Sequence, residues 1–471
     1  MPKEAEWPPL GKKWYERASA SYRSGDIEDA EIACENALRL VPDRSEVRTL
    51  AAHVALAQLE YDRAVQLVRG MNGQEPSAIR SRAYWYAGKI TQAADELDHL
   101  LADPEMRDPW ATEVAKLARQ GRGREPFAMS GGLLAVTEMP RVGSTSLIVP
   151  VEVDGEPALG MIATDVAEAV VDSSSGKEAS WISLRFAERI EVSDVPAMAR
   201  DLSRISRQLN APIKLLIGVN LLRHLHATFD FGGGQFVVRS FEPPPPPEAT
   251  TLRVSYVRGG GMLLRGAFGV DDNAPWGSFL VNTSMTYPVA LDKQGWEKAG
   301  VQLGSLSAIP NLASVKQGTL PVLRLGAFEV PGVPGVLGGP VQEMEQGLDI
   351  ELDGLLGSGL LAAFRVTLVD RGKTMWLEDI PRAAVSGAGD LPPEDAPLEG
   401  EAPLDGTPPM DAAPTDGPAA PAPAPKAPAP APVPKAPAPA AAPKAPAPAP
   451  APVPKAPAPA AAPKAPAPAR P

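Results

Sequence analysis

Two short polar steps close apolar stretches in the middle of this sequence. One is Ala163-Thr164-Asp165, after Gly160-Met161-Ile162; the other is Asn282-Thr283-Ser284, after Phe279-Leu280-Val281. Together they carry a single carboxylate, Asp165, beside one amide and three hydroxyls. General acid–base chemistry needs one group to take a proton and another to give one. Asp172 is the other nearby acid and reads as a loop or capping residue. Cys34 is the only cysteine, which excludes an intramolecular disulfide framework and a multi-cysteine zinc site. No histidine lies near it in sequence to activate a thiolate, so a buried, inert thiol is expected. His224 and His226 alternate on what reads as one strand face, but no third metal ligand is evident. The glycine-rich residues 331–340 (PGVPGVLGGP) lack the Lys-Ser/Thr of a phosphate loop and read as a surface loop. No cofactor and no metal are expected.

The elements that must position the two steps are strands. From about residue 128, short alternating apolar runs are broken by Gly, Pro and Asp. Two segments repeat each other without a gap. Leu216-Ile217-Gly218-Val219-Asn220-Leu221-Leu222 leads to Ala227-Thr228-Phe229, and Leu355-Leu356-Gly357-Ser358-Gly359-Leu360-Leu361 leads to Val366-Thr367-Leu368. Each then turns, through Phe231-Gly232-Gly233-Gly234 or Asp370-Arg371-Gly372-Lys373, into a last strand. Upstream, Val170 falls seven residues after Ala163, and Val289 seven after Asn282. An internal duplication is expected, with units over residues 128–242 and 251–381. A stiff proline segment, residues 243–247 within a linker at 243–250, separates them.

This pattern resembles the retropepsin-like aspartic proteases. There a hairpin of the type V-x-V-N-G-x-P leads into a strand ending in Asp-Thr-Gly, and a hydrophobic-Gly signature follows downstream. Here the hairpin is Val151-Glu152-Val153-Asp154-Gly155-Glu156-Pro157, and Ala163 stands eight residues after Gly155, the usual separation. The resemblance implies that tandem lobes form a bilobal, pepsin-like pseudo-dimer with a cleft between them. It also implies that Ala163 and Asn282 occupy the positions of both catalytic aspartates. Those aspartates share one proton, and alanine and asparagine supply no such pair. Thr164 and Thr283 would brace the loops from behind. Thr164, Asp165, Asn282, Thr283 and Ser284 would line a cleft floor, either open to an extended peptide or filled by the chain's own loops.

Residues 11–121 read as helices, with small residues at helical spacing and a period of about 34 residues. Trp14, Ala18, Tyr22, Gly25, Ala30, Ala37 and Pro42 mark the first unit. Ala52, Leu59, Tyr61 and Ala64 mark the second; Gly88, Ile90, Ala93, Leu100 and Pro104 mark the third. The pattern resembles the tetratricopeptide repeat (TPR) family. That resemblance implies stacked helical hairpins offering a groove to a peptide or partner helix; the alternative is an array that only packs against the rest of the chain.

The chain has 471 residues and 55 prolines, of which 29 fall in residues 388–471. Residues 382–471 lack the apolar content for a core and are expected to be disordered. Residues 388–416 hold eight acids and no bases, and residues 417–471 five lysines, one arginine and no acids. The basic part is read as a semi-rigid polyproline II spacer, or as a ligand for a proline-binding module or an acidic surface. A net charge of −12 argues against a general nucleic-acid binder. No apolar run is long enough to span a bilayer or serve as a secretory signal, so a cytoplasmic protein is expected. The Ala/Pro/Gly bias points to a bacterial genome rich in GC. The whole reads as a non-catalytic scaffold or adaptor for protein partners. Two other readings stand beside it: an unusual aspartic endopeptidase using Asp165, and a structural subunit of a larger assembly.

Overall fold

Pro9 opens the first helix at a position where a missing N–H leaves no bond unmade. The asparate side chains of Asp26 and Asp108 cap the second and seventh by accepting from Asp29 N and Ala111 N. In the computed structural model, the described residues are 7–379, apart from 104, 105, 107, 141, 143, 144, 259, 311 and 347. The acidic and Pro/Ala/Lys stretches, residues 382–471, lie outside them, as does Pro104 of the third unit.

Seven helices come first: α1 (Pro9–Arg23), α2 (Ile27–Leu40), α3 (Ser45–Ala57), α4 (Tyr61–Leu67), α5 (Gln74–Tyr86), α6 (Ile90–Leu101) and α7 (Pro109–Gln120). Ala18 and Ala30 are fully buried between α1 and α2, where small side chains let the two helices approach. Among the described residues, no helix is long and apolar enough to cross a membrane.

The β-rich part begins at Ala128 and forms three sheets. In the first, the strands run in the order Ala128–Gly131, Ile190–Arg200, Ala169–Asp172, Ile213–Ile217, Glu156–Ile162, Ile148–Val153, Ser180–Phe186, and the last pairs back to Ile190–Arg200. An eight-stranded sheet repeats the closed part of this plan, in the order Ser255–Val257, Gly261–Ala267, Trp276–Asn282, Gly354–Gly357, Val289–Leu291, Phe328–Leu337, Leu312–Leu325, Ser307–Ile309, with Leu312–Leu325 returning to Gly261–Ala267. In both, the strand entering a polar step lies parallel to the strand before the hydrophobic-Gly signature. A six-stranded sheet draws three strands from each unit. Thr228–Asp230 pairs antiparallel with Phe364–Val369 at its centre, and the two equivalent hydroxyls Thr228 Oγ1 and Thr367 Oγ1 meet there at 2.9 Å. Equivalent residues in contact mark a pseudo-two-fold axis.

The helices are docked on both β units. Ala18, Tyr22, Ala33 and Ala51 share one apolar core with Leu263, Leu280 and Leu355 of the second unit. Trp85, Leu97 and Leu117 share another with Ile148, Met161 and Ile213 of the first. Gly25 (φ +73°) makes the turn between α1 and α2, and a Cβ there would stand 2.4 Å from Ser278 Oγ. That hydroxyl donates to Ser24 O at 2.6 Å. At the far end of the array, a Cβ on Gly121 would stand 2.0 Å from Trp181 Cζ2, and Trp181 Nε1 donates to Leu117 O at 2.9 Å. The Gly121→Ala variant should lose about 1–3 kcal/mol of stability by overpacking this contact. Its φ of −92° suits alanine, so the loss is steric; urea unfolding of the full chain reads it. An unchanged midpoint would show that the indole moves aside freely.

Two sequence expectations are corrected. Residues 331–337 are not a surface loop but part of the strand Phe328–Leu337 in a long hairpin, with Pro331 opposite Val322 and Pro334 opposite Thr319. The parallel neighbour Val289–Leu291 begins to pair only at Gly335, so both prolines lie where that side of the strand has no ladder partner. His224 and His226 are not alternating strand residues. The short helix Val219–Leu222 ends just before them, and His226 takes a left-handed φ of +39°.

Candidate functional site

The strands Glu156–Ile162 and Trp276–Asn282 bring the two polar steps face to face across the pseudo-axis. Thr164 N donates to Thr283 Oγ1 at 3.0 Å, and Thr283 N donates to Thr164 Oγ1 at 3.0 Å. The hydroxyls then donate onward, Thr164 Oγ1 to Val281 O and Thr283 Oγ1 to Ile162 O, each at 2.8 Å. Both threonines are buried. Each loop is therefore tied by its threonine to the backbone of the other, with all four groups satisfied.

This brace fixes what stands on either side. Ala163, 1% exposed, precedes Thr164 and presents a methyl group. Asn282, 6% exposed, precedes Thr283, and its Oδ1 accepts from Ser284 N at 3.0 Å. Asp165 and Ser284 follow the threonines, both exposed, and Ser284 Oγ donates to the Asp165 carboxylate. The six residues singled out from sequence thus gather in one place. They offer one solvated carboxylate, one amide and one exposed hydroxyl, the carboxylate and hydroxyl bonded to each other. The chemistry these six residues can supply is hydrogen bonding around a single carboxylate.

Asp172 is a cap. It is 4% exposed, accepts from Ser174 N, Ser174 Oγ and Leu202 N, and pairs with Lys214 Nζ at 2.7 Å. Lys214 and Ser174 hold its carboxyl well below the usual range, against the upward push of burial. Cys34 lies 1% exposed in the α1–α3 core, and burial pushes its thiol up to about 12. At neutral pH it carries no thiolate to react.

A buried polar cluster escaped the sequence reading. Glu168, three residues beyond Asp165, accepts from Trp85 Nε1 of α5 at 3.0 Å and from Asn220 Nδ2 at 3.2 Å. Arg223 bonds Asn220 Oδ1, donates to Tyr61 Oη at 2.6 Å, and lies 5.5 Å and 5.3 Å from the ring centres of Tyr86 and Tyr256. Glu168 and Arg223 are each 3% exposed. Burial raises the Glu168 carboxyl; Trp85, Asn220 and the Arg223 charge pull it back. The signal lay in the duplication: Asn220 and Arg223 correspond to Gly359 and Ala362, so one copy alone carries the polar groups.

No family model matches the chain, and no curated protein matches it. Solved structures give partial likenesses. A retropepsin-like aspartic protease from Rickettsia conorii is 22% identical, with 28% of this chain and 90% of that one covered, at a TM-score of 0.21. The Arabidopsis OM64 TPR domain is 17% identical, with 24% and 95% covered, at 0.22. Basic 7S globulin from soybean is 9% identical, with 54% and 95% covered, at 0.36.

Proposed function

We propose that this chain is a non-catalytic protein-binding scaffold. A TPR-like array is joined to two retropepsin-like lobes, paired as a pepsin-like pseudo-dimer that has lost its catalytic aspartates. The observation that carries the reading is the threonine brace. We take the brace as the register mark of both loops; in that reading Ala163 and Asn282 stand where an aspartic protease needs its paired carboxylates. Asp165 stands on the far side of Thr164 and is engaged with Ser284. The exposed Asp165 and Ser284 leave hydrogen-bonding groups for an extended peptide, which is the ligand class proposed. The excess of acids over bases supports protein rather than nucleic-acid partners. A cytoplasmic, bacterial adaptor is the setting that fits this reading.

The test incubates the full chain with a peptide library from about pH 3 to about pH 7, beside Asp165→Ala. The expected result is intact peptides throughout, with a sequence-selective subset retained on the protein. Cleavage that disappears in Asp165→Ala would overturn the proposal in favour of an endopeptidase. Intact peptides with none retained would favour a purely structural subunit.

A further inference from the structure

A cavity of about 910 Å³ opens where the helices meet both β units. The turns before α4 and α6 form one wall, Phe127 and His224 a second, and the turn at Arg371 and Lys373 a third. Sites for small molecules commonly measure about 300–1,000 Å³.

Its charges sort into matched and unmatched. Lys89 pairs with Asp62, and Arg63 with Glu31, Glu35 and Glu60. Arg223 is linked to Glu168 through Asn220. Arg371 and Lys373 pair with no carboxylate among the described residues, and their exposed neighbour Asp370 pairs with no cation. His224 stacks on Phe127 at 4.4 Å, and its imidazole is pushed down to about 3, by burial first and then by Arg223 and Arg371. The ring is therefore neutral at physiological pH and adds a flat surface, not a charge.

The duplication supplies a comparison within the molecule. In the register that matches Thr228 with Thr367, Arg223 and His224 correspond to Ala362 and Ala363. Arg371 and Lys373 correspond to Gly232 and Gly234. The pseudo-symmetric position is thus uncharged at all four places. The charged turn is also strained: Asp370 and Arg371 both take left-handed φ, +50° and +52°, where the other copy has Phe231 and Gly232, neither of them in that region. Such residues cost about 1–3 kcal/mol each and persist only when their surroundings hold them. Here the Tyr256 hydroxyl donates to Gly372 O at 2.6 Å.

We infer that this cavity binds a small organic anion, with its charged end at Arg371 and Lys373 and its flat apolar body against Phe127 and Leu59. The ligand would touch the helices and both β units at once.

Anilinonaphthalene sulfonate, a flat aromatic anion, is the probe, and phenylnaphthylamine is the same body without the charge. Fluorescence titration of the full chain should give one saturable sulfonate site per chain and much weaker binding of the neutral dye. The double variant R371E/K373E should weaken sulfonate binding about tenfold or more, about 1.4 kcal/mol. R204E/R207E, an equal change of net charge at exposed residues elsewhere, should leave it unchanged. Unchanged unfolding temperatures in both variants would show that the loss is local. Equal affinity in wild type and R371E/K373E, or neutral-dye binding as tight as the sulfonate's, would overturn the inference. If R371E/K373E fails to fold, Lys373→Gln replaces it; unchanged affinity there overturns the inference equally.

Discussion

Thr164→Val should destabilise the full chain by roughly 2–6 kcal/mol, read as a shift of the urea midpoint without a change of slope. Valine keeps the shape of threonine and removes only the hydroxyl. That hydroxyl holds two buried backbone groups, Thr283 N and Val281 O. An unmade bond to a buried group costs about 1–3 kcal/mol. Thr283→Val should behave alike, because it releases Thr164 N and Ile162 O. The double variant should cost less than the sum, since either loop, once loosened, displaces the other's partners. Thr164→Ser retains the hydroxyl and should recover most of the loss. A Thr164→Val midpoint indistinguishable from wild type would mean that the two loops are held by the surrounding sheets and not by this exchange of bonds.

The second large effect concerns a buried charge. Arg223→Met should cost about 3–5 kcal/mol near neutral pH, because it removes the positive charge that offsets the buried Glu168 carboxyl. The sign of the pH dependence follows from the raised Glu168 carboxyl. A carboxyl whose folded pKa lies above its unfolded value, about 4.3, favours folding most at pH below that value. The advantage is lost as pH rises through the folded pKa. Removing Arg223 raises the folded pKa further, so the deficit against wild type should shrink as pH falls towards 5. Adding Glu168→Gln should flatten the pH dependence and return part of the stability. A deficit equal at pH 5 and pH 8 would show that Arg223 acts through its bonds to Tyr61 and Asn220 and not through its charge.

The break between helical and β-rich parts was legible because it changes the period of apolar residues: α7 ends at Gln120 and the first strand starts at Ala128. The equivalence of Ala163 with Asn282 was legible because duplicated units preserve spacing. The exchange of bonds between Thr164 and Thr283 needs geometry, since 119 residues separate them. Docking of the helices onto both β units left no sequence trace. Trp85 meets Glu168 across 83 residues, and each residue alone looks like an ordinary member of its own element. The strand at Pro331 and Pro334 was hidden for another reason: proline argues against a strand unless one knows which edge lacks a partner. Arg223 was readable only by asking where the two copies differ, which spacing arguments pass over.

The docking of α1 and α2 on the second β unit has a consequence for how the chain is made. The N-terminal helices leave the ribosome first, yet Ser24 O waits for Ser278 and Asp26 for Arg265, 254 and 239 residues later in synthesis. The seam at Thr228 and Thr367 also closes only once residue 367 has been made. Until then the nascent array carries apolar surface with no cover, and loop closures this long slow the search for native contacts. The protein is therefore committed to late, chain-wide assembly rather than to sequential folding of finished modules.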